Sequence, residues 1–107
     1  MKKSEQLAVN AQVLDFLKAN PNLTDRYAIP SNAWKPLRSC SAEVAHIGTI
    51  RVLRSYSTII AAYDLTTNTL YDFLRYVYGY TSTSAQHISK FAHDYGHSPR
   101  ILRYYPV

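Results

Sequence analysis

The side chains that could do chemistry are few. The 107-residue chain has four histidines, one cysteine and seven carboxylates. His87, His93 and His97 lie close in sequence with Asp94 between them. His93 and His97 are four residues apart, but Gly96 interrupts any helix that would stack them. His87 and His93 are six apart and fall on different sides of a helix. A zinc centre needs three or four converging ligands, so no metal and no cofactor are expected. Cys40 and His46 form a nucleophile and base only if the fold happens to join them. Asp64 and Asp72 flank a predicted hairpin and would perturb each other if they faced across it. The three glycines, Gly48, Gly79 and Gly96, are too dispersed for a phosphate-cradling loop. An enzyme is the weakest class, and no catalytic residue is assigned.

Binding chemistry is better supplied. Ten tyrosines in a chain of this size are an excess. Tyr71, Tyr76, Tyr78 and Tyr80 cluster, with Tyr56 and Tyr63 upstream. Tyrosine suits a half-buried strand, and it equally suits an interface, where it offers contact area at low entropic cost. Arg51, Arg54, Arg75, Arg100 and Arg103 are interleaved with these rings, and Tyr104 and Tyr105 follow the last arginine. Twelve basic against seven acidic residues give a formal charge of +5. That balance favours acidic partners and argues against a DNA mimic. Past Asp94 there is no acid, so a basic face near the C-terminal end is expected, either solvated or on nucleic acid.

A single cysteine excludes an internal disulfide framework. The longest uncharged apolar run, Ser55 to Tyr63, is too short to cross a bilayer, and no hydrophobic signal region follows Lys2 and Lys3. A cytoplasmic protein without a membrane partner is expected. The length fits one domain over residues 1–107.

Hydrophobic spacing predicts the positioning elements. Ser4 to Asn20 reads as a helix with Leu7, Ala11, Leu14 and Leu17 inward and Ser4 as its cap; Asn20-Pro21 stops it. Residues 21–42 form a Pro-containing connection, with a turn of helix near Ser31 to Leu37 and Trp34 pinning it to the core. Residues 43–107 hold a sheet and a second helix. Glu43 to Tyr56 reads as strand with a bulge or break at Gly48, and Ser57 to Asp64 as a central strand apolar on both faces. Leu70 to Tyr78 fits either a helix or a long strand; its composition and the turn before it favour strand. Thr83 to Asp94 reads as helix, with Thr83 and Gln86 as a capping box and Gly96 as a left-handed terminator. Arg100 to Tyr105 is a final strand. The predicted fold is α+β: an antiparallel sheet of three to four strands packed with an N-terminal helix and a second helix near the C-terminus.

The run Tyr80-Thr81-Ser82-Thr83-Ser84-Ala85-Gln86-His87-Ile88-Ser89-Lys90-Phe91, with Ser55-Tyr56-Ser57-Thr58-Ile59-Ile60-Ala61 upstream, carries a resemblance. It resembles a domain of unknown function in small phage, plasmid and conjugative-element proteins of Gram-positive bacteria. The match spans residues 51–95. The resemblance implies a mobile-element context, in which inhibitors of host defence such as anti-CRISPR proteins occur. It carries no activity over. Thr81, Thr83 and Ser84 crowd a helix start, where a phosphate site and a simple cap are the two readings; the cap is favoured. His87 lies one turn on, able to bond back to the cap or touch a partner.

Three functions follow as expectations. The first is a non-enzymatic binding protein of a mobile element, acting on a host protein or nucleoprotein such as a CRISPR nuclease. The second is a direct binder of single-stranded RNA or DNA. The third is a self-associating structural subunit. The binding residues are placed at Arg51, Arg54, Arg75, Tyr76, Tyr78, Tyr80, Thr81, Thr83, Ser84, His87, Arg100, Arg103, Tyr104 and Tyr105.

Overall fold

A computed structural model describes residues 2–25, 27–38 and 40–106. Arg26 and Ser39, both inside the predicted connection, lie outside the described residues. The elements are α1 (Lys3–Ala19), β1 (Trp34–Pro36), β2 (Ala42–Ile47), β3 (Ile50–Ser55), β4 (Thr58–Asp64), β5 (Thr69–Asp72), α2 (Leu74–Val77), α3 (Ser82–Tyr95) and β6 (Arg100–Arg103). Two short 3-10 turns, Pro21–Thr24 and Ser31–Ala33, join α1 to β1.

The sheet has six strands in the order β1-β2-β3-β4-β5-β6, which corrects the predicted three to four. Neighbours are antiparallel except β5 and β6, which are parallel. Two misreadings account for most of the undercount. The segment read as one strand from Glu43 to Tyr56 is two, because Gly48, at φ +58, turns the chain back on itself. The connection read as irregular contributes an edge strand, where Trp34 pairs with Ala45 and Pro36 with Glu43. Pro36 tolerates that place because an edge strand has one side without a ladder to complete. The parallel β6 follows from α3, which carries the chain across one face before it returns beside β5.

A helix covers each face. On one, Val13 and Leu17 of α1 pack with Trp34, Val52, Ile59, Ala62, Phe73 and Leu102. Phe16 stacks on Tyr71 with ring centroids 3.8 Å apart. On the other, Ile88 and Phe91 of α3 pack with Val44, Leu53, Ile60, Ala61, Tyr63, Leu70 and Leu74. The inner stripe of α1 differs from the predicted one. Leu7 is exposed and Asn10 is buried, because Asn10 bonds both backbone groups of Tyr105, donating to its carbonyl at 2.6 Å and accepting from its N–H at 2.7 Å. The helix starts at Lys3 with Lys2 before it, so Ser4 lies inside the first turn and does not cap.

β4 is the central strand with apolar residues on both faces, but its alternation is broken. The register slips between Leu53 and Arg54, and Ile60 is the extra residue. Ile60, Ala61 and Tyr63 therefore join the α3 face, while Ile59 and Ala62 join the α1 face.

The predicted strand from Leu70 to Tyr78 ends at Asp72. The buried Asp72 carboxylate accepts the Leu74 N–H at 3.2 Å and Arg103 Nε at 3.1 Å, which starts the single turn α2. Gly79, at φ +112, closes that turn. Asp64 lies opposite Thr69 and Asp72 opposite Ala61, so the two acids do not face each other. Gly96 is not left-handed: its φ is −96, and a Cβ there would lie 2.9 Å from the Ala92 carbonyl oxygen and 2.9 Å from Pro99. Closeness to Pro99, rather than a turn, is what suits glycine at this position. No helix among the described residues is long and apolar enough to cross a membrane.

Candidate functional site: a tyrosine-rimmed turn over a buried Ser–Ser–His core

β3 and β4 are joined by a two-residue turn, Tyr56-Ser57. Beside it, α3 begins at the same end of the sheet. Thr81 is the cap, with extended backbone and an Oγ1 that accepts the Ser84 N–H at 3.2 Å. This corrects the predicted capping box, which placed the cap two residues later at Thr83. Ser84 and His87, one turn apart on α3, share the face that meets the end of β3. Ser55 Oγ lies 3.0 Å from Ser84 Oγ and 2.8 Å from His87 Nδ1. All three residues are buried. The two segments that carried the family resemblance therefore meet in space.

A serine oxygen 2.8 Å from a histidine nitrogen has the spacing of a nucleophile and its base. Here Ser84 shares the contact, and the three side chains form one buried polar cluster. Ser55 is engaged on both sides, and no carboxylate among the described residues bonds the His87 ring to orient it. Burial, with help from the Lys90 charge, pushes the His87 pKa below its ordinary 6.5. Above that pH both folded and unfolded chains hold the ring neutral. As pH falls through about 6.5 the unfolded chain takes up a proton that folded His87 resists, so stability should decline toward the lower folded pKa. Urea midpoints at about pH 7.5 and pH 5 should differ in that direction, and less so in His87→Gln. Equal shifts in both proteins would contradict this.

Three hollows surround the turn. One, of about 360 Å³, is lined by Ser55, Tyr56, Ser57, Thr58, Ile60, Tyr78, Thr81, Thr83 and Ser84. A second, of about 350 Å³, lies between Tyr27, Asp25, Ser57, Thr58 and Val77. The third, of about 560 Å³, lies between Tyr27, Ile29, Pro30, Arg54, Tyr56 and Ser57. Ser57 borders all three. The rings at this end stand in solvent: Tyr27 is 81%, Tyr56 63% and Tyr78 67% exposed.

The predicted binding residues separate into two groups. Tyr78, Thr81, Thr83 and Ser84 line the first hollow with His87 behind them. Tyr80 follows in sequence, with the Arg75 guanidinium 4.8 Å above its ring. Arg54 lines the third hollow, stacked 4.2 Å over the Trp34 ring and paired with Glu43 at 2.6 Å. The others lie elsewhere. Arg51 is at the opposite end of β3, donating to the Gly48 carbonyl at 2.9 Å. Arg100 reaches Gln12 at 3.2 Å, and Arg103 pairs with Asp72. Tyr105 is tied by its backbone to Asn10, and Tyr104 meets Tyr76 edge-on with centroids 5.0 Å apart.

Of the groups considered for chemistry, Cys40 Sγ donates to the Leu37 carbonyl at 2.8 Å. His93 and Asp94 join Arg38, whose guanidinium holds the Asp94 carboxyl well below the usual carboxylate range. No group of three His, Cys, Asp or Glu among the described residues converges to hold a metal. Tyr27 and the Tyr56–Thr58 turn are not among the predicted binding residues. The available signal was a two-residue hairpin turn, Tyr-Ser, that lacks Gly, Asn or Asp.

Fold and site together define an α+β chain with a six-stranded mixed sheet and an aromatic rim at one end. No family model, curated protein or solved structure matches it.

Proposed function

We propose that the chain is a non-enzymatic binding protein of a mobile genetic element that inhibits a host defence nuclease, of the CRISPR type, by gripping the protein or its nucleoprotein complex. The observation that carries the binding reading is the group of exposed rings, Tyr27, Tyr56 and Tyr78, around one turn. Large aromatic side chains grouped in water on a small protein mark an interaction site, and tyrosine is a favoured anchor of interfaces. The mobile-element context rests on the family resemblance of residues 51–95.

The charge beside the turn favours a protein surface over bare nucleic acid, since Arg54 there is paired with Glu43 and Asp25 borders the second hollow. Both faces of the sheet are covered by helices, so no open sheet offers a stacking platform for single strands. Pairing of two β6 edges would set arginines against arginines, which disfavours self-association by that route.

The test uses the full chain as bait in host lysate, followed by cleavage assays with the purified, guide-loaded nuclease. Specific recovery of the nuclease and loss of cleavage at stoichiometric inhibitor support the reading. Recovery of no protein, together with steeply salt-dependent binding to single-stranded RNA or DNA, would replace it with the nucleic-acid alternative.

A further inference from the structure

We infer that Tyr56 is the anchor of this interface, held out by a turn whose backbone is suited to glycine, and that its occupant is a protein partner with neutral, apolar side chains. The inference rests on the proposed binding function and assigns it a centre and a partner chemistry.

The two hairpin turns that bracket β3 make the comparison. Gly48-Thr49 and Tyr56-Ser57 are both two-residue connections. In each, the first residue has positive φ, +58 at Gly48 and +55 at Tyr56. Glycine accepts that conformation without penalty, whereas a bulky side chain is strained by it. The strain at Tyr56 is not offset by burial, since most of its ring is in water and its nearest aromatic neighbour, His87, is 6.0 Å away between centroids. Tyr56 therefore breaks a local rule without a matching gain to the fold. Such breaks cluster at functional sites, where the side chain serves something outside the fold.

The hollows beside it define what fits. Tyr56 borders the first and the third, and Ser57 borders all three. A partner clasping this turn would place side chains on both sides of one ring. No charged residue among those described lines the first hollow. Among the described residues, Asp25 is the charge on the second, and Arg54 on the third is already held by Glu43 and Trp34. A phosphate backbone would find an acid and no unpaired cation among the described lining residues. Neutral apolar side chains meet no such conflict, and hydroxyls at the rim can bond the main chain that carries them.

The test pairs stability with affinity in Tyr56→Gly and Tyr56→Asn, since both residues tolerate positive φ and neither has a ring. The melting temperature of Tyr56→Gly should hold or rise by a few degrees (about 4 °C) as strain is relieved. Affinity for the purified protein recovered by wild-type bait should fall about 30-fold or more in both variants. Binding of a ~20-nucleotide oligothymidylate at low salt, at whatever strength, should not change. If wild type binds its protein and both variants bind within about threefold of it, Tyr56 is not the anchor, and the binding function stands without it. A loss of oligothymidylate binding in Tyr56→Gly overturns the choice of a protein occupant. Recovery of no protein by wild type overturns the parent reading and this inference together.

Discussion

Phe91→Ala should cost about 3–5 kcal/mol of stability and lower the melting temperature by more than about 12 °C. The Phe91 ring is fully buried on the α3 face of the sheet, with the Tyr95 ring 5.4 Å away between centroids. Its removal opens a cavity beneath the long helix on that side, where Ile88 and Phe91 are the buried apolar residues of α3. β3 and β4 would lose their cover, and with them the platform under the Tyr56 turn. Thermal melts followed by circular dichroism read the effect directly. A loss below about 1 kcal/mol would mean that α3 is not packed as described and that the motif's final phenylalanine is not a core anchor.

Trp34→Ala should be comparably severe, again about 3–5 kcal/mol. Trp34 is buried in the edge strand β1, packs with Val52 and Ile59 on the α1 face, and forms the seat of the Arg54 guanidinium. Without the ring, a half-buried cation keeps Glu43 and loses its stacking surface. The conservative variant separates packing from polarity. Trp34 Nε1 and Arg54 Nε are both buried, and neither has a hydrogen-bond partner among the described residues. Trp34→Phe keeps a ring under Arg54 and removes one of those unpaired donors, so it should lie within about 1.5 kcal/mol of wild type. Urea titrations of both variants check the pair. A Trp34→Phe loss as large as that of Trp34→Ala would contradict the account of the indole N–H as an unpaired donor.

The helices were largely legible in the sequence because their signals are local. Ile88 and Phe91 sit at helical spacing, and Asn20-Pro21 ends α1 within a residue of where the structure does. The strand count was not legible, since it depends on which residues turn. Gly48 was seen as a break, but whether a break is a bulge or a hairpin is decided by whether the flanking segments can pair. Trp34–Pro36 is three residues long and holds a proline, so nothing local marks it as strand until β2 lies beside it. At Asp72 a long-range contact decided the outcome. Its carboxylate is held by Arg103 from β6 while it accepts the Leu74 N–H at the start of α2, and no reading of Leu70 to Tyr78 alone contains that.

The candidate site was half legible. Thr81, Ser84 and His87 drew notice as a helix start, but their partner Ser55 lies 29 residues before Ser84. The arginines were overvalued for a physical reason. Net charge counts them all, while Glu43 and Asp72 pair with two of them, Arg54 and Arg103, where they stand. The tyrosines were undervalued at the turn, because sequence spacing does not reveal that Tyr27, Tyr56 and Tyr78 border adjoining hollows.

Amide hydrogen exchange of the full chain, alone and bound to the protein it recovers, tests the central claim most directly. Slowed exchange on binding should centre on Ser57, Thr58 and the segment from Tyr78 to Thr83, with β6 unchanged. Protection confined to Arg100–Tyr105 and α1, leaving the Tyr56 turn as open as in the isolated protein, would contradict it.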